Sequence, residues 1–363
     1  MPLEKAMPTK MNRATSLTGV SFAILAAALF GASTPFSKIL LGKTEPVMLA
    51  GLLYLGSGIG LTIWSRFRSH SKAGTGEAQL KRSDISWLAG AILAGGVIGP
   101  VLLMFGLAVT PASSASLLLN LEGVLTAVLA WFVFKENFDR RIALGMAAIT
   151  LGGLVLSWGG RLEVGVPWGA LAITGACLAW GIDNNLTRRV SAGDPVQIAA
   201  IKGLVAGAVN FTIALAIGAH VPAFSTVTVA ALLGFFGYGV SLTLFVLALR
   251  HIGTARTGAY FSLAPFVGAL ISVLILRDSL TLQFLIAAVL MGVGVWLHLT
   301  ERHAHEHRHD ALEHDHRHIH DDHHQHEHDE GAPLGEPHSH PHRHERIVHS
   351  HHHYPDIHHR HAH

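Results

Sequence analysis

The sequence predicts an all-α membrane protein of ten transmembrane helices, arranged as two inverted five-helix repeats and followed by a disordered tail. Three observations lead to this prediction. Ten apolar stretches are long enough to cross a membrane, the first half of the chain resembles the second, and positive charge is concentrated on alternate connections. Half of the 363 residues are hydrophobic, which is too apolar for an ordinary soluble domain.

A transmembrane helix needs roughly 20 apolar residues to cross about 30 Å of hydrocarbon. The qualifying stretches are approximately 17–37, 45–65, 85–108, 112–134, 140–158, 167–187, 195–217, 227–249, 256–276 and 280–299. The first stretch is long for a secretory signal and is followed by Lys38 and Lys43 rather than by small residues. We therefore expect it to be retained as a span.

The two halves of the chain share an ordered series of short matches that include polar residues. The matches are Phe30-Gly31 with Trp180-Gly181 at an offset of 150, Glu45-Pro46 with Asp194-Pro195 at 149, and Asn120-Leu121 with Ser262-Leu263, Lys135-Glu136 with Arg277-Asp278 and Gly152 with Gly294 at 142. Chance similarity among apolar helices is the alternative, but ordered matches at nearly constant offsets favour a true repeat. Five spans per copy would insert the second copy upside down, which is the sequence signature of alternating-access transporters.

Charge bias predicts the orientation. With the N-terminus in the cytoplasm, the cytoplasmic side before the tail holds 15 Lys and Arg residues and the outside holds 4. Both termini are therefore predicted to be cytoplasmic. The expected divisions are a cytoplasmic N-terminus at 1–16, the first repeat at 17–158, the second at 167–299 and the tail at 300–363.

Taken together, these motifs resemble the drug/metabolite transporter superfamily and, within it, the EamA-type transporters. The resemblance covers about residues 17–299 and includes the Leu119-Asn120-Leu121-Glu122 stretch before Lys135-Glu136. The run from Ala176 to Asn185 and the tail also look like a bacterial subgroup with a histidine-rich C-terminus. The resemblance implies a ten-helix inverted-repeat fold that moves a small solute across the cytoplasmic membrane, often outward. One departure is Gly123, because family members often carry proline both there and at the repeat partner, Pro265.

Three ionisable residues fall inside predicted spans, where each is expected to cost at least ~2.5–3.5 kcal/mol on insertion. Glu122, Asp183 and Lys202 are expected within about 10 Å of one depth. One interpretation is a structural ion pair in which Glu122 or Asp183 neutralises Lys202. The other is a transport cavity in which Glu122 binds and releases a proton or cation. The two are compatible if Lys202 is displaced when solute binds.

The predicted cavity includes further polar and helix-breaking residues. Gly123 and Pro265 are repeat partners at mid-span, and interrupted helices at matching positions of inverted halves point to a central site. An ordinary proline kink is the alternative, and any of the polar residues could instead form a helix–helix hydrogen bond. The candidate cavity residues are Asn120, Glu122, Asp183, Asn184, Asn185, Lys202, Tyr260, Ser262 and Pro265.

Of the 28 histidines, 24 lie in residues 301–363, many of them alternating with acidic or basic residues. No apolar periodicity supports a fold there. Imidazole suits Zn, Ni, Co and Cu(II), so the tail is expected to bind metal and to collect or sense it at the inner mouth. A low-complexity segment without a transport role and a pH-sensitive tether are the alternatives. The predicted metal ligands are His303, His305, His307, His309, His314, His316, His318, His320, His323, His324, His326 and His328.

These observations predict an inner-membrane secondary transporter that exports a small solute. The tail favours a divalent transition metal (Ni, Co or Zn), and an amino acid or other small metabolite is the main alternative. A membrane-anchored metal buffer or sensor, in which the bundle moves nothing, is a third. The chain has no Walker-type phosphate loop, and its spans offer no Ser/His/Asp or Cys/His constellation, which argues against ATP coupling and against an enzyme. No cofactor is expected to be required. The expected partners are the lipid bilayer and the transported solute or metal ion, and nucleic acid is not expected to bind. A homodimer is left open.

Overall fold

A computed structural model describes residues 13–70, 84–134, 140–157, 167–187, 190 and 194–299, together with four tail segments. The α-helices are α1 (Arg13–Leu41), α2 (Pro46–His70), α3 (Asp84–Ala91), α4 (Gly99–Val109), α5 (Ala112–Leu118), α6 (Leu121–Phe134), α7 (Arg140–Ser157), α8 (Trp168–Thr187), α9 (Pro195–Ala216), α10 (Phe224–Gly234), α11 (Ser241–Phe261), α12 (Ala264–Ile271) and α13 (Leu282–Leu299). Three π-helical segments, Ile92–Ile98, Phe235–Val240 and Ser272–Leu276, follow α3, α10 and α12.

Long apolar helices dominate the bundle. Six stretches of the described residues are long and apolar enough to cross a membrane, namely Thr18–Leu41, Pro46–Phe67, Asp84–Val109, Ala112–Leu129, Val196–Ala216 and Phe224–Ala248. Three shorter apolar helices are Ala143–Ser157, Ala264–Leu276 and Leu282–Leu297. Large apolar side chains such as Phe67 and Phe224 point outward, as expected of a surface that meets lipid. The all-α membrane class predicted for the bundle is confirmed.

One predicted boundary needs correction. Residues 250–255 were expected to connect separate spans, but α11 continues without a break through this region to Phe261. No proline or glycine pair interrupts the helical hydrogen bonds here, and the lone Gly253 is tolerated inside a helix. The first helix begins at Arg13, and its membrane-length apolar stretch begins at Thr18, close to the predicted start of the first span at 17. Residues 71–83, in the predicted basic loop, lie outside the described residues.

Glycines bring the helices into backbone contact, and these contacts occur in repeat-related pairs. Gly58 on α2 faces the backbone of Leu204 on α9, and Gly207 on α9 faces the backbone of Leu55 on α2. Replacing each residue by its repeat partner, 149 positions later for Gly58 and 149 positions earlier for Leu204, converts the first contact into the second. A Cβ atom at either glycine would collide with the neighbouring helix. Small residues are the usual means of such close approach in membranes, where lipid is as apolar as the side chains.

Replacing each residue by its repeat partner also relates contacts elsewhere in the bundle. Gly152 on α7 packs against Met291 on α13, while Gly294 on α13 packs against Ile149 on α7. Likewise Gly31 on α1 meets α12 at Ala264 and Gly268, and its repeat partner Gly181 on α8 meets α6 at Leu125 and Thr126. The helix pairs α2–α9 and α7–α13 therefore each join one segment to its own repeat partner.

Helix interruptions also fall at matching places. The chain leaves helical geometry at 119–120, between α5 and α6, and at 262–263, between α11 and α12. Gly123 and Pro265, the predicted breakers, lie two or three residues downstream of these interruptions. Pro265 is near the N-terminus of α12, where its missing N–H has no helical partner to lose. The structure thus places the interruptions close to the predicted positions, with a different residue at the break.

Four tail segments form strands, β1 (Ala304–Arg308), β2 (Leu312–His318), β3 (His338–His344) and β4 (Val348–His352). β1 pairs with β4 and β2 with β3, both antiparallel and in a register that continues from one pair to the next. The register sets five histidine pairs opposite one another, His305–His351, His307–His349, His314–His342, His316–His340 and His318–His338. The tail was predicted to be disordered, and these four segments differ from that prediction, because alternation at every second residue is also the period of a strand.

Candidate transport site

Asp183 on α8 and Lys202 on α9 form a largely buried ion pair. The Lys202 Nζ atom lies 2.6 and 2.8 Å from the two Asp183 carboxylate oxygens. The side chains are only 16% and 11% exposed, for Lys202 and Asp183 respectively. Thr187, one helical turn after Asp183, donates its hydroxyl to the carboxylate at 2.8 Å and accepts from Lys202 at 3.2 Å. A buried charge pair is stable when its remaining hydrogen-bonding groups are satisfied in this way.

Gly95, in the π-helical segment after α3, leaves the space that the Asp183 side chain of this pair occupies. A Cβ atom at Gly95 would overlap the Asp183 carboxylate, so only glycine admits that side chain. The π-helical turn also frees backbone carbonyls for other helices. The Gly95 carbonyl accepts from the Tyr54 hydroxyl at 2.8 Å and from the Trp180 indole N–H at 2.9 Å. One glycine therefore connects α2, the α3 segment and α8 at the ion pair.

Glu122 lies beside Asn184, in a second polar cluster between α6 and α8. The Asn184 amide donates to the Glu122 carboxylate at 2.9 Å and to the Thr126 hydroxyl at 3.3 Å. Asn185 donates to the Gly181 carbonyl at 2.8 Å and to the Thr126 carbonyl at 3.3 Å. Glu122 follows the interruption at 119–120, roughly 15 Å along the helix axis from the start of α5. This interruption therefore positions the carboxyl in mid-span.

The two acidic residues have different partners. Lys202 is held by both oxygens of Asp183, and the partner of the Glu122 carboxylate among the described residues is the Asn184 amide. Glu122 is half-buried, and Asn184 and Gly123 are exposed. A Cβ atom at Gly123 would meet nothing within 4 Å. The Glu122 side chain is therefore partly exposed and hydrogen-bonds to an exposed amide, and it has no ion-pair partner in the described part of the chain.

Comparison with known proteins identifies the chain's relatives. Residues 17–158 and 167–300 match the EamA-like transporter family. The chain belongs to the EamA-like transporter family. It is therefore a multi-pass membrane protein of a transporter family.

Proteins similar to this chain agree with this assignment. An uncharacterized transporter of Methanothermobacter thermautotrophicus is 30% identical over 295 residues, covering 77% of this chain and 86% of the relative. The uncharacterized inner membrane transporter YedA of Escherichia coli K12 is 25% identical over 269 residues, covering 70% and 81%. A solved crystal structure aligns with 78% of this chain and 95% of its own at a TM-score of 0.57 and 17% identity, which shows a shared fold.

Not all predicted cavity residues of this EamA protein meet at Glu122. The Asn120 amide donates to the Leu117 carbonyl at 2.9 Å, across the helix interruption, and faces the Met291 sulfur on α13. Tyr260 packs against the Ala23–Ala248 contact between α1 and α11. Ser262 lies in the second interruption and Pro265 in the first turn of α12, which packs on α1. The structure brings Asp183 together with Lys202 in one cluster, and Glu122 together with Asn184 in a second, where Asn185 lies beside them on Thr126.

Sequence reasoning missed several residues of the site. Thr187 and Thr126 each lie four residues from a carboxylate on the same helix, a spacing that predicts proximity. Gly95 and Tyr54 gave no comparable signal, because their roles depend on contacts between helices. Within the described residues, no group of three or more His, Cys, Asp or Glu side chains is placed to hold a metal ion.

The ion pair predicts a stability pattern. Lys202→Met and Asp183→Asn should each lower the free energy of unfolding by about 3–5 kcal/mol, because each leaves a buried charge without its partner. The double variant should regain most of this loss, because neither charge remains. Thermal unfolding of the purified protein in detergent measures all four states of the cycle. Losses that simply add in the double variant would contradict the pairing.

Proposed function

We propose that this EamA protein is an inner-membrane secondary transporter that exports a small solute through a ten-span inverted-repeat bundle. Glu122 is the residue that exchanges a proton or cation, and Asn184 and Thr126 complete its site. The observation that carries the proposal is a half-buried carboxylate in mid-span, hydrogen-bonded to an exposed amide and without a lysine or arginine partner among the described residues.

Repeat-related contacts support the inverted-repeat bundle. In each of the pairs α2–α9 and α7–α13, a contact and its exchanged copy occur together, as a two-fold relation between the halves requires. The interruptions at 119–120 and 262–263 lie at corresponding positions of the halves. Inverted halves with broken helices near a central site are typical of secondary transporters. The expected domains, 17–158 and 167–299, follow from this arrangement.

The surroundings of Glu122 support a water-accessible site. A carboxylate and an exposed amide facing hydrocarbon would be costly, so polar groups at this depth usually face the interior of the bundle or an aqueous cavity. Lys202 does not neutralise Glu122, since Lys202 forms its ion pair with Asp183. We infer that Asp183 and Lys202 hold α8 against α9, while Glu122 is left available to an incoming cation.

We propose a divalent transition metal, Ni, Co or Zn, as the exported solute. The 24 histidines of the tail provide imidazole ligands, and the strand register adds His338, His340, His342, His349 and His351 to those predicted from spacing alone. Opposite positions of an antiparallel ribbon are roughly 5 Å apart, a separation suited to two ligands of one metal ion. A cytoplasmic tail of this kind would collect the ion at the inner mouth. Both termini are proposed to be cytoplasmic from the charge bias.

A small metabolite such as an amino acid is the second candidate. The described bundle has no cluster of three metal-binding side chains, and a single carboxylate with amide and hydroxyl neighbours also suits a cationic organic group. Flux into proteoliposomes across a panel of metals and amino acids separates these two solutes. Failure of any solute to move would instead favour a membrane-anchored metal buffer.

Glu122→Gln should abolish or strongly slow flux while the protein still inserts and folds, because the amide cannot accept a proton or neutralise a cation. Its hydrogen bond with Asn184 can persist, so the thermal midpoint should change little. The measurement is initial flux in proteoliposomes at matched protein density.

Glu45→Gln is the matched control, since Glu45 is an exposed carboxylate just before the first residue of α2. This variant should transport at the normal rate. A normal transport rate in the Glu122→Gln variant would contradict the exchange role and leave Glu122 with a packing role only.

Removing residues 301–363 should leave the bundle folded, because the tail has no apolar face to bury against it. If the solute is a metal, flux should fall mainly at low free metal, where a tethered collector raises the local concentration most. At saturating metal the rate should be nearly unchanged. Flux measured against free metal concentration, with and without the tail, tests this. Equal flux at every concentration would remove the collector role and favour a metabolite.

A further inference from the structure

Lys38 ties the end of α1 to the end of α4. Its ammonium donates to the backbone carbonyls of Leu107 at 2.6 Å, Ala108 at 3.0 Å and Thr110 at 3.0 Å. An ammonium has three donors, so these bonds satisfy it fully. The last carbonyls of a helix have no partner within it and carry partial negative charge. Lys38 is therefore a charged cap on a helix of another segment.

Asp278 makes a second connection at the same end of the bundle. Its carboxylate accepts the backbone N–H of Ser113, in the first turn of α5, at 2.8 Å. Arg277 before it adopts a left-handed backbone with φ of 57°, which ends the π-helical segment after α12 and turns the chain. A non-glycine residue in this conformation is uncommon and is held by its surroundings. The turn directs Asp278 to the start of α5.

Two buried hydroxyl groups lie just inside these connections. The Ser37 and Ser116 hydroxyls are inaccessible to solvent and have no hydrogen-bond partner among the residues that the structure describes. Ser37 precedes Lys38, and Ser116 follows Ser113 by one helical turn. Buried hydroxyls normally have partners, because removing them from water is unfavourable. An opening of this end of the bundle would let water supply the partner that each of these hydroxyls lacks among the described residues.

We propose that Lys38 and Asp278 form a releasable closure of this end of the bundle. Both connections join the α1 and α12 side to the start or end of α4 and α5, and both are hydrogen bonds that water can replace. Releasing them opens a path from this end to Ser37 and Ser116. The proposal rests on the proposed transport function, in which this is the outer end and the closure is one of the two states of access.

The test is the reaction rate of a reporter cysteine, Ser116→Cys, with a membrane-impermeant maleimide in proteoliposomes without solute. Natural Cys177 is buried, so the same proteins without the reporter provide the background. Lys38→Met and Asp278→Asn should each raise the reporter's labelling rate about tenfold, which corresponds to ~1.4 kcal/mol in the opening equilibrium. Two independent variants keep the test decisive if one of them fails to fold.

Lys43→Met is the matched control, because Lys43 is an exposed lysine at the same end of α1. It should leave the labelling rate unchanged, and Lys38→Arg should stay close to the natural protein because it keeps donors for the carbonyls. Unchanged labelling in both folded variants would overturn the closure, even if flux is normal. Faster labelling in proteoliposomes that move no solute would retain the closure and count against the transport function.

Discussion

Backbone contact between helices, possible only where glycine removes the side chain, is the constraint on which this bundle depends. Within lipid there is no hydrophobic driving force for apolar helices to associate, so close packing must hold them together. Gly58 and Gly207 provide that contact between α2 and α9, and Gly152 and Gly294 provide it between α7 and α13. Each pair joins a segment to its repeat partner, so the halves are held in a reciprocal arrangement.

The polar and charged residues of the site are not repeated in this way. Asp183 enters the space left by Gly95, and at the corresponding contact of the other half Gly237 faces Ser33. The positions that correspond to Glu122 and Lys202 are Ala264 and Leu53. The two halves therefore supply matching contacts, but Glu122 comes from the first half, Asp183 and Lys202 come from the second, and none of the three has a charged counterpart at its repeat-related position. Asp183 and Lys202 neutralise each other, and Glu122 has no ion-pair partner among the described residues.

Much of the fold follows from sequence because apolar length and repeat offsets are local properties. The all-α membrane class and the meeting of Asp183 with Lys202 were predicted, and the choice of Asp183 over Glu122 as the lysine's partner was left open. That choice depends on a few ångströms of helix rotation, which one sequence does not determine. The continuity of α11 and the placement of Tyr260 away from Glu122 were missed for the same reason. Gly95 could not be recognised from sequence, because its role depends on a side chain 88 positions away.

The most direct test of the account is the side of the membrane on which two repeat partners lie. Glu45 and Asp194 occupy equivalent positions at the starts of α2 and α9. Each is replaced by cysteine in turn and labelled in intact cells with an impermeant maleimide, with permeabilised cells as the reference. The account predicts that Glu45→Cys is labelled from outside and that Asp194→Cys is labelled only after permeabilisation. Labelling of both from the same side would contradict inverted repeats and the transport path built on them.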